Sequence, residues 1–166
     1  MDKARAIYRI DLASEDFVQM VPCQSSAFKI REKQIDNWMA TKPELLFSDP
    51  EAVMVFAQEI SGELMADMLA LDSQGGLIII EIKRHNSDRS TIAQLLDYGA
   101  RLSSWTYDDF NRRWQTYSGS REGLFEKFKS FIENPDFDPD DFLVDRRLII
   151  LASSEDESMR RIISWL

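Results

Sequence analysis

"GGLIIIEIKRH" (residues 75–85) decides how the rest of the chain is read. Four consecutive aliphatic residues, 77–80, have the pattern of a strand buried on both faces. The run continues without a turn into Glu81, Ile82 and Lys83. Side chains alternate along a strand, so Glu81 and Lys83 project to one face. A carboxylate and an ammonium at the end of a core strand cost stability unless they have partners.

The residues just upstream supply a partner. "LMADMLAL" (64–71) is apolar apart from Asp67, and "DSQGG" (72–76) carries turn chemistry. Residues 64–71 and 77–83 are therefore expected to form an antiparallel hairpin. Such a hairpin can bring Asp67 beside Glu81. Two carboxylates held that close repel each other, and a divalent cation relieves the repulsion. Ligation by oxygen alone suits Mg²⁺ or Mn²⁺ rather than Zn²⁺. A lysine alongside can orient or activate a water.

Downstream, Ser90 is a candidate N-cap for a helix over residues 91–104. Its apolar stripe is Ile92, Leu95, Leu96, Gly99 and Leu102, while Gln94, Tyr98 and Arg101 share another face. Nearer the start, Ile35, Trp38 and Met39 have helical spacing, and that helix should stop before Pro43. Glu44 follows at once, in "PELLF". Residues 53–59 read as a strand, and 7–21 contain short alternating pieces that could pair. Two amphipathic helices are expected around Phe110, Trp114 and Tyr117 and around Leu124, Phe125, Phe128, Phe131 and Ile132. "NPDFDPDD" is a loop, and 147–152 reads as a buried strand. A capping box, Ser154 with Glu157, opens a last helix with the stripe Met159, Ile162, Ile163 and Leu166. This order predicts an α/β sandwich, a mixed sheet covered by helices.

A chain of 166 residues suits one domain with its own core, with residues 1–27 an N-terminal strand or extension. The last apolar pattern runs to the final residue, so one domain of a longer protein is expected. The longest aliphatic run is too short to span a bilayer, and the N-terminus lacks the apolar stretch of a signal peptide. One cysteine, Cys23, cannot form an internal disulfide, which points to a cytoplasmic setting. A net charge of −9 argues against coating nucleic acid by bulk electrostatics. The charge is uneven, however. Residues 83–121 hold seven basic and four acidic side chains, so that segment is +3 and the remainder −12.

The set Asp67, then Glu81-Ile82-Lys83 on the next strand, then Gln94 and Tyr98 on the following helix, resembles the PD-(D/E)XK nuclease superfamily. It is closest to the branch with an upstream glutamate, here Glu44, and a Q-x-x-x-Y helix. The resemblance covers roughly residues 28–166 and is concentrated between Glu44 and Leu102. It implies a restriction-endonuclease-like core, a mixed central β-sheet flanked by helices. It implies a Mg²⁺- or Mn²⁺-dependent nuclease, acting on DNA before RNA. Asp67, Glu81 and the Ile82 carbonyl would hold the metal. Glu44 would complete the acidic cluster, Lys83 would position the attacking water, and Gln94 would orient the site. Tyr98, Arg84, Arg89 and Arg101 would meet the substrate. Ala66 stands where the superfamily's name has proline, a residue without a reacting group. The competing reading is a catalytically inactive module of the same fold that binds nucleic acid or protein. Either reading leaves room for a homodimer or for a further domain C-terminal to this chain.

Other features point elsewhere and fail. Asp136, Asp138 and Asp140 have calcium-loop spacing, but Asp141 stands where the loop needs glycine and Arg147 where it needs glutamate. His85 reads as a solvated strand-end residue. Trp105, Tyr107, Trp114 and Tyr117 divide between base-stacking candidates and core residues.

Overall fold

The computed structural model describes residues 7–11, 16–20, 31–43, 53–58 and 66–165, with backbone alone for 7–11, 16–20, 32, 84–86 and 153–155. Glu44 lies outside the described residues, and the Arg84 and His85 side chains are likewise not described. The elements run β1 (Ile7–Asp11), β2 (Asp16–Met20), α1 (Glu32–Thr41), β3 (Met54–Gln58), β4 (Met68–Leu71) and β5 (Leu77–Ser87). There follow α2 (Arg89–Leu102), α3 (Tyr107–Ser118), α4 (Leu124–Phe131), a 3₁₀ turn (Pro139–Asp141), β6 (Arg146–Glu155) and α5 (Glu157–Ile163).

β1 and β2 pair antiparallel as a separate two-stranded sheet. The main sheet has the order β3-β4-β5-β6. β3–β4 and β4–β5 are antiparallel, and β5–β6 is parallel. The expected hairpin is therefore present, with Leu71 opposite Leu77 and Met68 opposite Ile80. The parallel pair needs a long crossover, which α2, α3 and α4 provide. The α/β class and the mixed sheet flanked by helices agree with the sequence.

β5 is central, which explains its unbroken apolar run. Leu77 through Ile80 are all at most 1% exposed. Leu77 and Ile79 face a core completed by Leu95, Tyr98 and Leu102 of α2, Phe110 and Trp114 of α3, and Phe128 of α4. Ile78, Ile80 and Ile82 face the other way, against Ile35, Met39 and Ala40 of α1. Each fully buried aliphatic stabilises the fold by about 1.5–3 kcal/mol relative to an exposed one. Gln58 Nε2 donates to Asn37 Oδ1 at 2.9 Å and ties β3 to α1.

The hairpin loop is built by Asp72. Its Oδ1 accepts from the Gln74 amide at 3.0 Å and the Gly76 amide at 2.9 Å. Arg147 Nη2 of β6 reaches Asp72 Oδ2 at 3.3 Å. Gly75 has φ +79°, and a Cβ there would lie 2.9 Å from Phe137 Cζ. Gly75→Ala therefore combines left-handed strain with a clash, and should lower unfolding stability by about 1–2 kcal/mol in a denaturant titration. An unchanged midpoint would contradict this account of the turn.

Three sequence expectations are corrected. The N-cap of α2 is Asp88, not Ser90: Asp88 Oδ1 accepts from the Ser90 amide at 2.8 Å. β5 runs on to Ser87, which leaves Asp88 as the first extended residue before the helix. The N-cap of α5 is likewise Asp156 rather than Ser154, accepting from the Met159 amide at 2.7 Å. The Asp88 carboxyl is held below its ordinary value, first by the Ser90 hydroxyl and then by its amide. Lastly, β6 is not a buried strand. It lies on the sheet edge, where Leu148 is 39% exposed, and the neighbouring Leu96 of α2 is 47% exposed.

Candidate active site

Glu81 and Lys83 continue the face of β5 that carries Leu77 and Ile79, by strict alternation. Asp67 has the same parity as Leu69 and Leu71, which share that core face. The β4–β5 register pairs Met68 with Ile80, so Asp67 stands one step on, opposite Glu81. By this register and parity the three residues share one face where β4 ends and β5 runs on. Tyr98 of α2 is buried against the same face.

The local bonds fix two of these groups. The Ile82 amide donates to Asp67 Oδ2 at 2.7 Å. That bond replaces the next rung of the β4–β5 ladder and aims the carboxylate across the strand end. Within a strand, one residue's N–H and C=O point the same way. The Ile82 carbonyl is therefore directed to the same edge as Asp67. Lys83 Nζ donates to Glu81 Oε1. Glu81 is 2% exposed and the Lys83 side chain 30%, so the carboxylate is inside and the lysine is partly exposed. A bulge follows immediately, between Lys83 and Asn86, where two β5 residues oppose one of β6. Bulges recur beside active sites because they re-aim side chains.

α2 supplies the next layer. Gln94 Nε2 donates to the Tyr98 hydroxyl oxygen one turn away. Burial raises the Tyr98 hydroxyl above its ordinary pKa of 10.0; Gln94 and Lys83 oppose this, and Glu81 and Asp67 add to it. Those contributions place Tyr98 within the field of all three strand residues. Its hydroxyl keeps its proton at neutral pH. A group whose pKa rises on folding contributes stability that is complete below its unfolded value and lost as pH climbs through the folded one. Tyr98→Phe should cost about 1 kcal/mol at neutral pH, and the deficit should shrink in alkaline solution. Thermal melts across the alkaline range test this, and a pH-independent deficit would refute it.

The described arginines have these surroundings. Arg89 is exposed in the first turn of α2. Arg101, in the last turn, pairs with Asp97 at 2.8 Å, with both side chains about half exposed. Arg113 stacks over Trp105 at 5.5 Å. Trp114 is a core residue, with Nε1 donating to the Glu122 carbonyl at 3.0 Å. A buried carboxylate that the sequence reading did not single out is Asp36 of α1, 6% exposed. The signal for it was present: Asp36, Met39 and Ala40 have i, i+3, i+4 spacing.

Among the described residues, no three His, Cys, Asp or Glu side chains gather to hold a metal ion, and no helix is long and apolar enough to cross a membrane.

No family model matches the chain, and no curated protein matches its sequence. Two solved structures are similar to it. One is a repair endonuclease from Pyrococcus abyssi, at 14% identity and TM-score 0.48, covering 82% of this chain and 44% of that one. The other is an EndoMS–dsDNA complex, at 18% identity and TM-score 0.48, covering 91% of this chain and 45% of that one. The chain thus spans less than half the length of either.

Proposed function

We propose that this domain is a Mg²⁺- or Mn²⁺-dependent nuclease that hydrolyses phosphodiester bonds, in DNA rather than RNA, at the end of β4 and β5. The observation that carries the reading is Glu81: a carboxylate 2% exposed on a core strand, with Lys83 on it and Asp67 opposite. Burying a charge in that position costs several kcal/mol.

The residues present fit a hard cation. Asp67, Glu81 and the Ile82 carbonyl offer oxygen donors only. Mg²⁺ commonly takes one or two carboxylates and fills its other positions with water and substrate phosphate. Two carboxylates therefore suffice, and Glu44 would add a third if the chain brings it near. When bound, such an ion lowers the pKa of a water and stabilises charge on the phosphoryl group.

The chain's own residues do the rest. The Ile82 amide holds the Asp67 carboxylate in place. Lys83, paired with the buried Glu81 and itself partly exposed, orients the attacking water and sets a positive charge beside the scissile phosphate. Tyr98, at 5% exposure, is a positioning residue: it packs under the carboxylates and fixes Gln94 at their side. Arg89, exposed at the start of α2, would meet the phosphate backbone.

The test is direct. The protein is incubated with single-stranded and duplex DNA, with Mn²⁺ or with EDTA. Cleavage that needs the metal supports the reading. DNA binding unaffected by EDTA, with no cleavage of any substrate, would replace it with the inactive binding module.

A further inference from the structure

The sheet has two edges, and they are treated differently. On β3 the apolar side chains are covered: Met54 is 6% exposed, Phe56 0% and Ala57 3%. On β6 the run 148–152 is as apolar, yet Leu148 is 39% exposed and the next four residues are only half-buried. Leu148, Ile150 and Ala152 floor a groove of about 970 Å³, walled by Leu96 of α2 and Ile163 of α5. Among the described residues, nine large apolar side chains are more than a third exposed. Five of them, Leu96, Val144, Leu148, Ile163 and Trp165, belong to α2, β6 or α5 or stand next to β6 or α5.

The backbone of this edge is also available. The Leu77 amide donates to the Asp145 carbonyl at 2.8 Å, so odd-numbered residues turn their peptide groups toward β5. By alternation, Leu148, Ile150 and Ala152 turn theirs outward. No described strand lies on that side. Sheet edges that stay single usually carry a proline or an inward charge. The run 148–152 carries neither.

We propose that this edge pairs antiparallel with the same edge of a second copy of the chain, joining two four-stranded sheets across a two-fold axis. The charge order along β6 selects this occupant. Arg146 and Arg147 stand at its start, Glu155 and Asp156 at its end, and the apolar residues lie between. A two-fold axis normal to the sheet at Leu151 sets Ile150 opposite Ala152 of the second copy and Leu148 opposite Ser154. It sets Arg146 opposite Asp156, and Arg147, which within its own chain reaches Asp72, opposite Glu155. Every opposed pair then shares a face, and the outward peptide groups of Leu148, Ile150 and Ala152 meet outward groups. An isologous interface must complement itself, and this strand does so only when reversed. Parallel pairing would set arginine on arginine. The Met159 amide holds the Asp156 carboxyl below its ordinary value, so it stays charged.

Sedimentation velocity over a concentration series and amide hydrogen exchange test the interface, independently of any nuclease activity. The expected result is a monomer–dimer equilibrium in which the amides of Leu148, Ile150 and Ala152 become protected as concentration rises. Leu148→Lys, which places a charge on the edge, should weaken dimerisation at least about tenfold. A monomer at every concentration would overturn the proposal. So would a dimer whose three amides exchange as fast as in the monomer, or protection that does not depend on concentration, which would indicate another occupant. If Leu148→Lys fails to fold, the exchange pattern of the unaltered chain still decides.

Discussion

Asp67→Asn is expected to lower Mn²⁺-dependent DNA cleavage by about two orders of magnitude or more, which is about 3 kcal/mol of transition-state stabilisation. The substitution is chosen because it isolates charge from shape. Asparagine keeps the side-chain outline, and its Oδ1 can still accept from the Ile82 amide, the bond that Asp67 Oδ2 makes at 2.7 Å. The end of the β4–β5 ladder should therefore hold, with unfolding stability within about 1 kcal/mol of the unaltered protein. What is lost is one of two negative charges facing each other across the strands, and with it the attraction for a divalent cation. Cleavage rates under saturating Mn²⁺, beside a denaturant titration of each protein, separate the two effects. Equal rates for both proteins would mean that the measured cleavage comes from a contaminant and that Asp67 plays no part. A large loss of stability would mean that the charge, rather than the bond, supports the strand end.

The site was legible because a strand's period of two is rigid. Once "DSQGG" marks a turn, the parity of Asp67, Glu81 and Lys83 follows from counting, and the β4–β5 register is the one that the counting needs. Gln94 and Tyr98 lie one turn apart as their spacing requires, but Tyr98 joins the core of Leu95 and Leu102 rather than the separate face read for it in the sequence. The caps were harder. "SDRS" offers two capping side chains two residues apart, and the choice fell to Asp88 because β5 extends past Lys83 to Ser87. That extension comes with a bulge, which no pattern of apolar residues announces. The exposure of β6 was hidden for a different reason. An apolar run shows that a strand needs cover, not where its cover comes from, so 147–152 reads the same in the middle of a sheet or on its edge. Leu96 was misplaced with it: it belongs to the apolar stripe of α2, but it faces the open side of β6.

Lys83→Met and Glu81→Met should both abolish cleavage yet move stability in opposite directions. Glu81 is 2% exposed on the face of β5 that continues from Ile79, and Lys83 donates to its Oε1. Removing the lysine takes the ion pair from a buried carboxylate, which costs about 3–5 kcal/mol when both partners are fully buried. The Lys83 side chain is 30% exposed, so water replaces part of the interaction and a loss of about 2 kcal/mol is expected. Removing the glutamate has the reverse effect. Methionine is similar in volume and removes the buried charge, and the Lys83 side chain, already 30% exposed, can shift its ammonium toward water. Glu81→Met should leave stability unchanged or raise it by about 1–2 kcal/mol. Denaturant midpoints for the two variants give the comparison without any substrate. A carboxylate kept in a core strand at a cost in stability is one retained for chemistry. If Glu81→Met proves as destabilising as Lys83→Met, the pair is structural, and the nuclease reading loses the observation on which it stands.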